Sequence, residues 1–105
     1  MRTKCKGKST VFFADPPRII SGGTIVGDVE AKGPLGSYFD IALEDDTWGE
    51  GTWEKAERKM FEHAVRTAVE KGGLTPMQVD ILLGGDLLNQ IISANFAARE
   101  LEIPF

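Results

Sequence analysis

Gly72-Gly73-Leu74-Thr75-Pro76-Met77-Gln78-Val79-Asp80-Ile81-Leu82-Leu83-Gly84-Gly85-Asp86 carries the fold class of this chain. The glycine pair stops a helix, and Leu74 is placed to fold back over its end. Thr75 caps, Pro76 takes the first helical position and Gln78 completes a capping box. Only one helical turn fits before Val79-Asp80-Ile81-Leu82-Leu83, an apolar run closed by glycines. Such a run predicts a buried strand of a parallel sheet. A helix, a strand and a second helix in this order predict an α/β fold.

Upstream, Thr52 is a good N-cap for a helix running to Gly72. Trp53, Ala56, Met60, Phe61, Ala64, Val65, Ala68 and Val69 form one apolar face at i, i+3, i+4 spacing. Glu54–Arg58 and Glu62–Arg66 are favourable i, i+4 pairs on the other face. Downstream, residues 88–101 predict a helix that is apolar nearly all round, so it has to be covered on more than one side.

Before the long helix, Ser9–Phe13 reads as a short edge strand closed by Asp15-Pro16-Pro17. Arg18–Gly27 reads as a strand with a bulge or a close backbone contact at Gly22-Gly23. Residues 27–51 are glycine-rich without a period and read as a long loop, with a turn of helix near Tyr38-Phe39. The order is β-β-loop-α-β-α. Residues 1–18 form a basic N-terminal arm with the edge strand, and residues 19–105 form the rest. The next element expected after Ile103-Pro104-Phe105 is a parallel strand, so the unit reads as incomplete.

A chain of 105 residues with 42% hydrophobic and 27% charged residues has room for one soluble domain. Its net charge of −4 argues against nucleic-acid binding by bulk charge. The charge is uneven, +4 over residues 1–18 and −8 over the remainder. A basic arm on an acidic body can touch anionic lipid or another subunit. No apolar run reaches the roughly 18–20 residues of a membrane span. A lone cysteine, Cys5, fits a reducing compartment.

Motifs add little chemistry of their own. Gly22–Gly27 has the glycine spacing of a phosphate-binding loop, but Asp28-Val29 stands where lysine and a hydroxyl are needed. Asp46, Glu50, Gly51 and Glu57 match positions of a calcium loop, but Trp48 does not, and a solvated acidic loop is the simpler reading. His63 lies on the charged face without a positioned partner, and Cys5 lies in the arm. Trp48 and Trp53 are expected to pack over the helix entrance. The catalytic, metal and cofactor sets are therefore empty. Gly84-Gly85-Asp86 reads most simply as a tight strand-to-helix turn. The functional reading places Asp86, Asn89 and Gln90 in a ligand pocket at the carboxyl end of the sheet.

Three stretches carry a resemblance: Gly33–Asp40, Trp53–Glu57 leading into Met60, and Gly85–Ser93 with Phe96–Leu101. Together they resemble the stage V sporulation protein AD family of spore-forming bacteria, over about residues 8–105. Val69–Asp80 is also similar to the helix-to-strand passage of thiolases and ketoacyl synthases. The resemblance implies a thiolase-like fold, of which this chain is the N-terminal part of the first half. It implies binding of dipicolinic acid for uptake into the developing spore. It further implies membrane proteins of the same operon as partners, and a place in the cytoplasm or at the inner spore membrane. The family's cysteine-bearing and histidine regions follow residue 105, so no enzyme activity is expected of the residues present. Two alternatives stand beside it: a fragment of an acyl-transferring enzyme, and a short subunit forming a homodimer through the 88–101 helix.

Overall fold

The computed structural model describes residues 3–88 and 91–105. Strands β1 (Thr3–Lys6) and β2 (Thr10–Phe13) form an antiparallel hairpin, and β3 (Ile25–Val26) pairs in parallel with β4 (Ile41–Ala42). Helices α1 (Asp28–Ala31), α2 (Trp53–Lys71) and α3 (Ile92–Leu101) complete the order, with 3-10 turns at Gly36–Tyr38 and Pro76–Gln78. Among the described residues the chain is mixed α/β with two small sheets.

Helix α2 begins and ends where its sequence directs. The Thr52 hydroxyl accepts from the Lys55 N–H at 3.2 Å. At the other end, Leu74 N–H bonds the Val69 carbonyl at 3.0 Å and Gly73 N–H the Glu70 carbonyl at 2.9 Å. Gly73 sits at φ +72°, the left-handed position that closes a Schellman cap. The Gln78 amide oxygen accepts from Thr75 N–H at 2.9 Å, as a capping box requires. Glu62 pairs with Arg66 at 3.1 Å. The expected Glu54–Arg58 pair gives way to Arg58–Glu100 at 3.5 Å, because Arg58 lies over the Phe96 ring at 5.4 Å and so faces α3.

The core lies between α2 and α3. Ala56, Ala94, Ala97, Ala98 and Leu101 are buried, as are Leu43 and Ile103. Small side chains at this seam let the helix backbones approach closely, and Ser93 Oγ donates to the Glu54 carbonyl at 3.3 Å. Burial of α3 is one-sided. Leu88, Ile91, Ile92 and Phe96 remain exposed, since α2 covers a single face. The helix also begins at Ile92 rather than Leu88.

Of two expected strands, one is shorter than its sequence suggests and the other does not form. Of Arg18–Gly27, only Ile25–Val26 is paired. The preceding residues run along α2 instead, where the Ser21 hydroxyl donates to the Ala68 carbonyl. Gly23 lies so close to α2 that a Cβ there would be 2.5 Å from the Ala64 carbonyl oxygen, which is the close contact read from Gly22-Gly23. Residues 79–83 are not a buried parallel strand. Ile81 and Leu83 are exposed, and Leu82 N–H donates to the Pro104 carbonyl at 2.7 Å. A ladder cannot continue past that bond on the proline's own N, because proline has no N–H.

The long loop is more ordered than its composition suggests. Residues 27–40 are a parallel crossover carrying α1, a length consistent with what a parallel pair needs. The arm is paired as well, since residues 3–6 pair with 10–13.

Asp40 fastens β3 to the end of α2. Its carboxylate accepts from Lys71 Nζ at 3.0 Å, Thr24 N–H at 2.9 Å and the Thr24 hydroxyl at 3.1 Å. The Lys71 bond, then the Thr24 N–H, hold its pKa below the usual 3.8. A lowered carboxylate pKa means that this stabilisation is present above 3.8 and is lost as pH falls through the folded value. The Thr24 amide resonance is therefore expected to titrate with a midpoint below 3.8, and Lys71→Met to raise that midpoint. A midpoint at or above 3.8 in the parent would contradict the latch.

Candidate functional site

Residues 84–88 lead from the 79–83 segment toward the start of α3. Asp86 organises it. Its Oδ1 accepts from Ile91 N–H at 2.8 Å and its Oδ2 from Ala94 N–H at 2.9 Å. One carboxylate thus satisfies two of the backbone donors that a helix start leaves free. It also places negative charge at the positive end of the helix dipole. Ile91 is held at φ +72°, an outlier for a β-branched residue, by the first of these bonds. Gly84 packs against the Phe61 ring, where a Cβ would come within 2.6 Å of it.

Of the three residues expected to face a ligand, Asp86 is thus placed at the helix start, engaged with backbone. Asn89 and Gln90 lie outside the described residues. Leu88, beside them in sequence, lines an apolar groove of about 320 Å³ with Ile25, Trp53, Ala56, Met60 and Phe61. Glu57 Oε1 is buried at this groove and has no hydrogen-bond partner among the described residues.

A second groove, of about 430 Å³, lies on the charged face of α2 between Lys55, Arg58, Lys59 and His63, with Glu50 and Glu62. Trp48 packs on two of its lining residues, His63 and Lys59. Its indole meets His63 edge-on at 4.6 Å, and Lys59 Nζ lies 4.5 Å from its centroid. So Trp48 packs on this face, not over the helix entrance, and Trp53 is half exposed. Trp48 holds φ +49°. Asp45 Oδ1 accepts from Trp48 N–H at 2.6 Å and from the Thr47 N–H and hydroxyl at 3.0 Å each. The Thr47 hydroxyl, then the Trp48 N–H, hold the Asp45 carboxyl below the usual carboxylate range. Lys59 Nζ donates to the Trp48 carbonyl at 3.1 Å and pairs with Glu50 at 3.8 Å. The i, i+4, i+8 spacing of Lys55, Lys59 and His63 signals this groove in sequence.

Comparison with known proteins identifies the relatives. The family model described as stage V sporulation protein AD matches residues 7–105. The chain belongs to that family. It is 46% identical over 102 residues to stage V sporulation protein AD of Bacillus subtilis (strain 168), covering 97% of this chain and 30% of that protein. The chain therefore spans about a third of the length of the curated relative it matches. Membership in a sporulation family agrees with the resemblance carried by Gly33–Asp40 and Gly85–Ser93, both inside the matched residues. No helix among the described residues is long and apolar enough to cross a membrane.

Proposed function

We propose that this chain is the N-terminal part of a thiolase-like sporulation protein that binds dipicolinic acid for uptake into the developing spore. In this reading it is a binding protein and not an acyl-transferring enzyme. It works at the inner spore membrane beside membrane proteins of its operon. Family membership supports the sporulation role. The observation that carries the site is the Asp86-pinned turn beside the groove lined by Leu88. Dipicolinate is a flat aromatic ring with two carboxylates, so it needs apolar walls and hydrogen-bond donors together. The groove supplies apolar walls, and Asn89 and Gln90 carry amide donors of the kind a carboxylate accepts. Asp86 serves that site by fixing the backbone of Ile91 and Ala94 at the start of α3, next in sequence to those amides.

The test is calorimetric titration of dipicolinate into this chain and into a chain continued to the relative's full length. Saturable heat from the continued chain is the expected result, weakened by Asn89→Ala and Gln90→Ala together. Absence of heat from the continued, folded protein would defeat the proposal. Turnover of an acyl thioester by that protein would favour the enzyme instead.

A further inference from the structure

The β1–β2 hairpin is used by nothing described so far. Among the described residues no hydrogen bond or ion pair joins residues 5–18 to the rest of the chain. Register pairs Cys5 with Val11 and Lys6 with Thr10, so Val11 and Phe13 share one face and Lys6 and Phe12 the other. Val11, Phe12 and Phe13 are each about half exposed, at 50%, 52% and 48%. Lys6 Nζ lies 5.8 Å from the Phe12 centroid, so a cation and an aromatic ring project together, with Lys8 exposed at the turn.

We propose that this hairpin docks on an anionic lipid bilayer surface. The +4 charge of residues 1–18 is complementary to anionic headgroups, while the −8 of the remainder keeps the body from lying flat on them. Charge alone would equally fit an acidic protein surface. The exposed rings decide between them, because a membrane interface offers anions and apolar depth within a few ångströms of each other. Lys6 and Lys8 meet headgroups as Phe12, on the same face as Lys6, enters the interfacial layer. The inference rests on the hairpin and not on the ligand proposed above.

Co-sedimentation of the full chain with vesicles tests it. Binding is expected to equimolar phosphatidylglycerol and phosphatidylcholine at about 0.1 M salt, where the Debye length is about 10 Å. Binding is expected to be lost on phosphatidylcholine alone. Lys6→Gln with Lys8→Gln is expected to weaken it about thirty-fold, from the usual worth of a lysine near such a surface. Lys6→Arg with Lys8→Arg should retain it, and Phe12→Ser should weaken it while leaving the α-helical circular dichroism unchanged, whereas Phe13→Ser, on the opposite face, should weaken it less. Equal binding to both vesicle types, no binding to either, or self-association through the same residues without lipid would each overturn the proposal.

Discussion

Gly23→Ala is expected to destabilise the chain by about 3 kcal/mol, the upper part of the overpacking range. The methyl group would come 2.5 Å from the Ala64 carbonyl oxygen and 2.7 Å from the Ala68 N, and both are backbone atoms of α2. A flexible side chain could swing aside. A helix backbone can only move as a body, and moving it separates Ser21 from the Ala68 carbonyl and shifts Thr24 away from Asp40. For a domain of this size the loss corresponds to a fall in Tm of roughly 12–24 °C. Gly22→Ala is the control, because nothing lies within 4 Å of its Cβ position. That variant should melt within a few degrees of the parent, or slightly above it through the smaller entropy of its unfolded chain. Thermal melts of both variants decide the matter. If Gly23→Ala melts with the parent, the close approach of residues 21–24 to α2 is wrong.

The parts of the fold legible in the sequence were those encoded locally. Thr52, the apolar face of α2 and Gly72-Gly73 each act within one or two turns, and the helix runs between them. The close contact at Gly23 was legible because paired glycines in a β-branched run serve little else. Residues 79–83 were misread because a strand is a relation to a partner. Their apolar run shows only that they seek cover, and the neighbour they meet is Pro104. The crossover at residues 27–40 was hidden for the opposite reason, since its two-residue strands leave no period to detect. The cationic groove left a signal in the spacing of Lys55, Lys59 and His63. The indole that packs on His63 and Lys59 arrives through a left-handed backbone at Trp48, which no residue preference foretells.

The candidate site shows the same division, and Asp86 is its sharpest test. The sequence placed Asp86 at a strand-to-helix turn; it lies ahead of α3, but what precedes it is an unpaired apolar segment and not a strand. The sequence could not show that the carboxylate reaches five and eight residues ahead, to Ile91 and Ala94, since ordinary caps act two or three residues on. Asp86→Ala removes both acceptors. Ala94 is fully buried, so its N–H loses its bond where water cannot replace it. The expected loss is about 2 kcal/mol, the cost of one strong cap and one stranded donor. Release of Ile91 from φ +72° returns part of that, so the loss stays well short of global unfolding. Asp86→Asn keeps one acceptor oxygen and should lose about half as much. Hydrogen exchange at Ala94 provides the readout, with protection falling in the order parent, Asn, Ala. Dipicolinate affinity of the continued protein separates the two roles of this residue. If Asp86 only fixes the turn, affinity should fall in the same order and proportion as protection at Ala94. If affinity is abolished in Asp86→Asn while protection is largely kept, the carboxylate itself meets the ligand, and its role as a positioning residue alone is refuted.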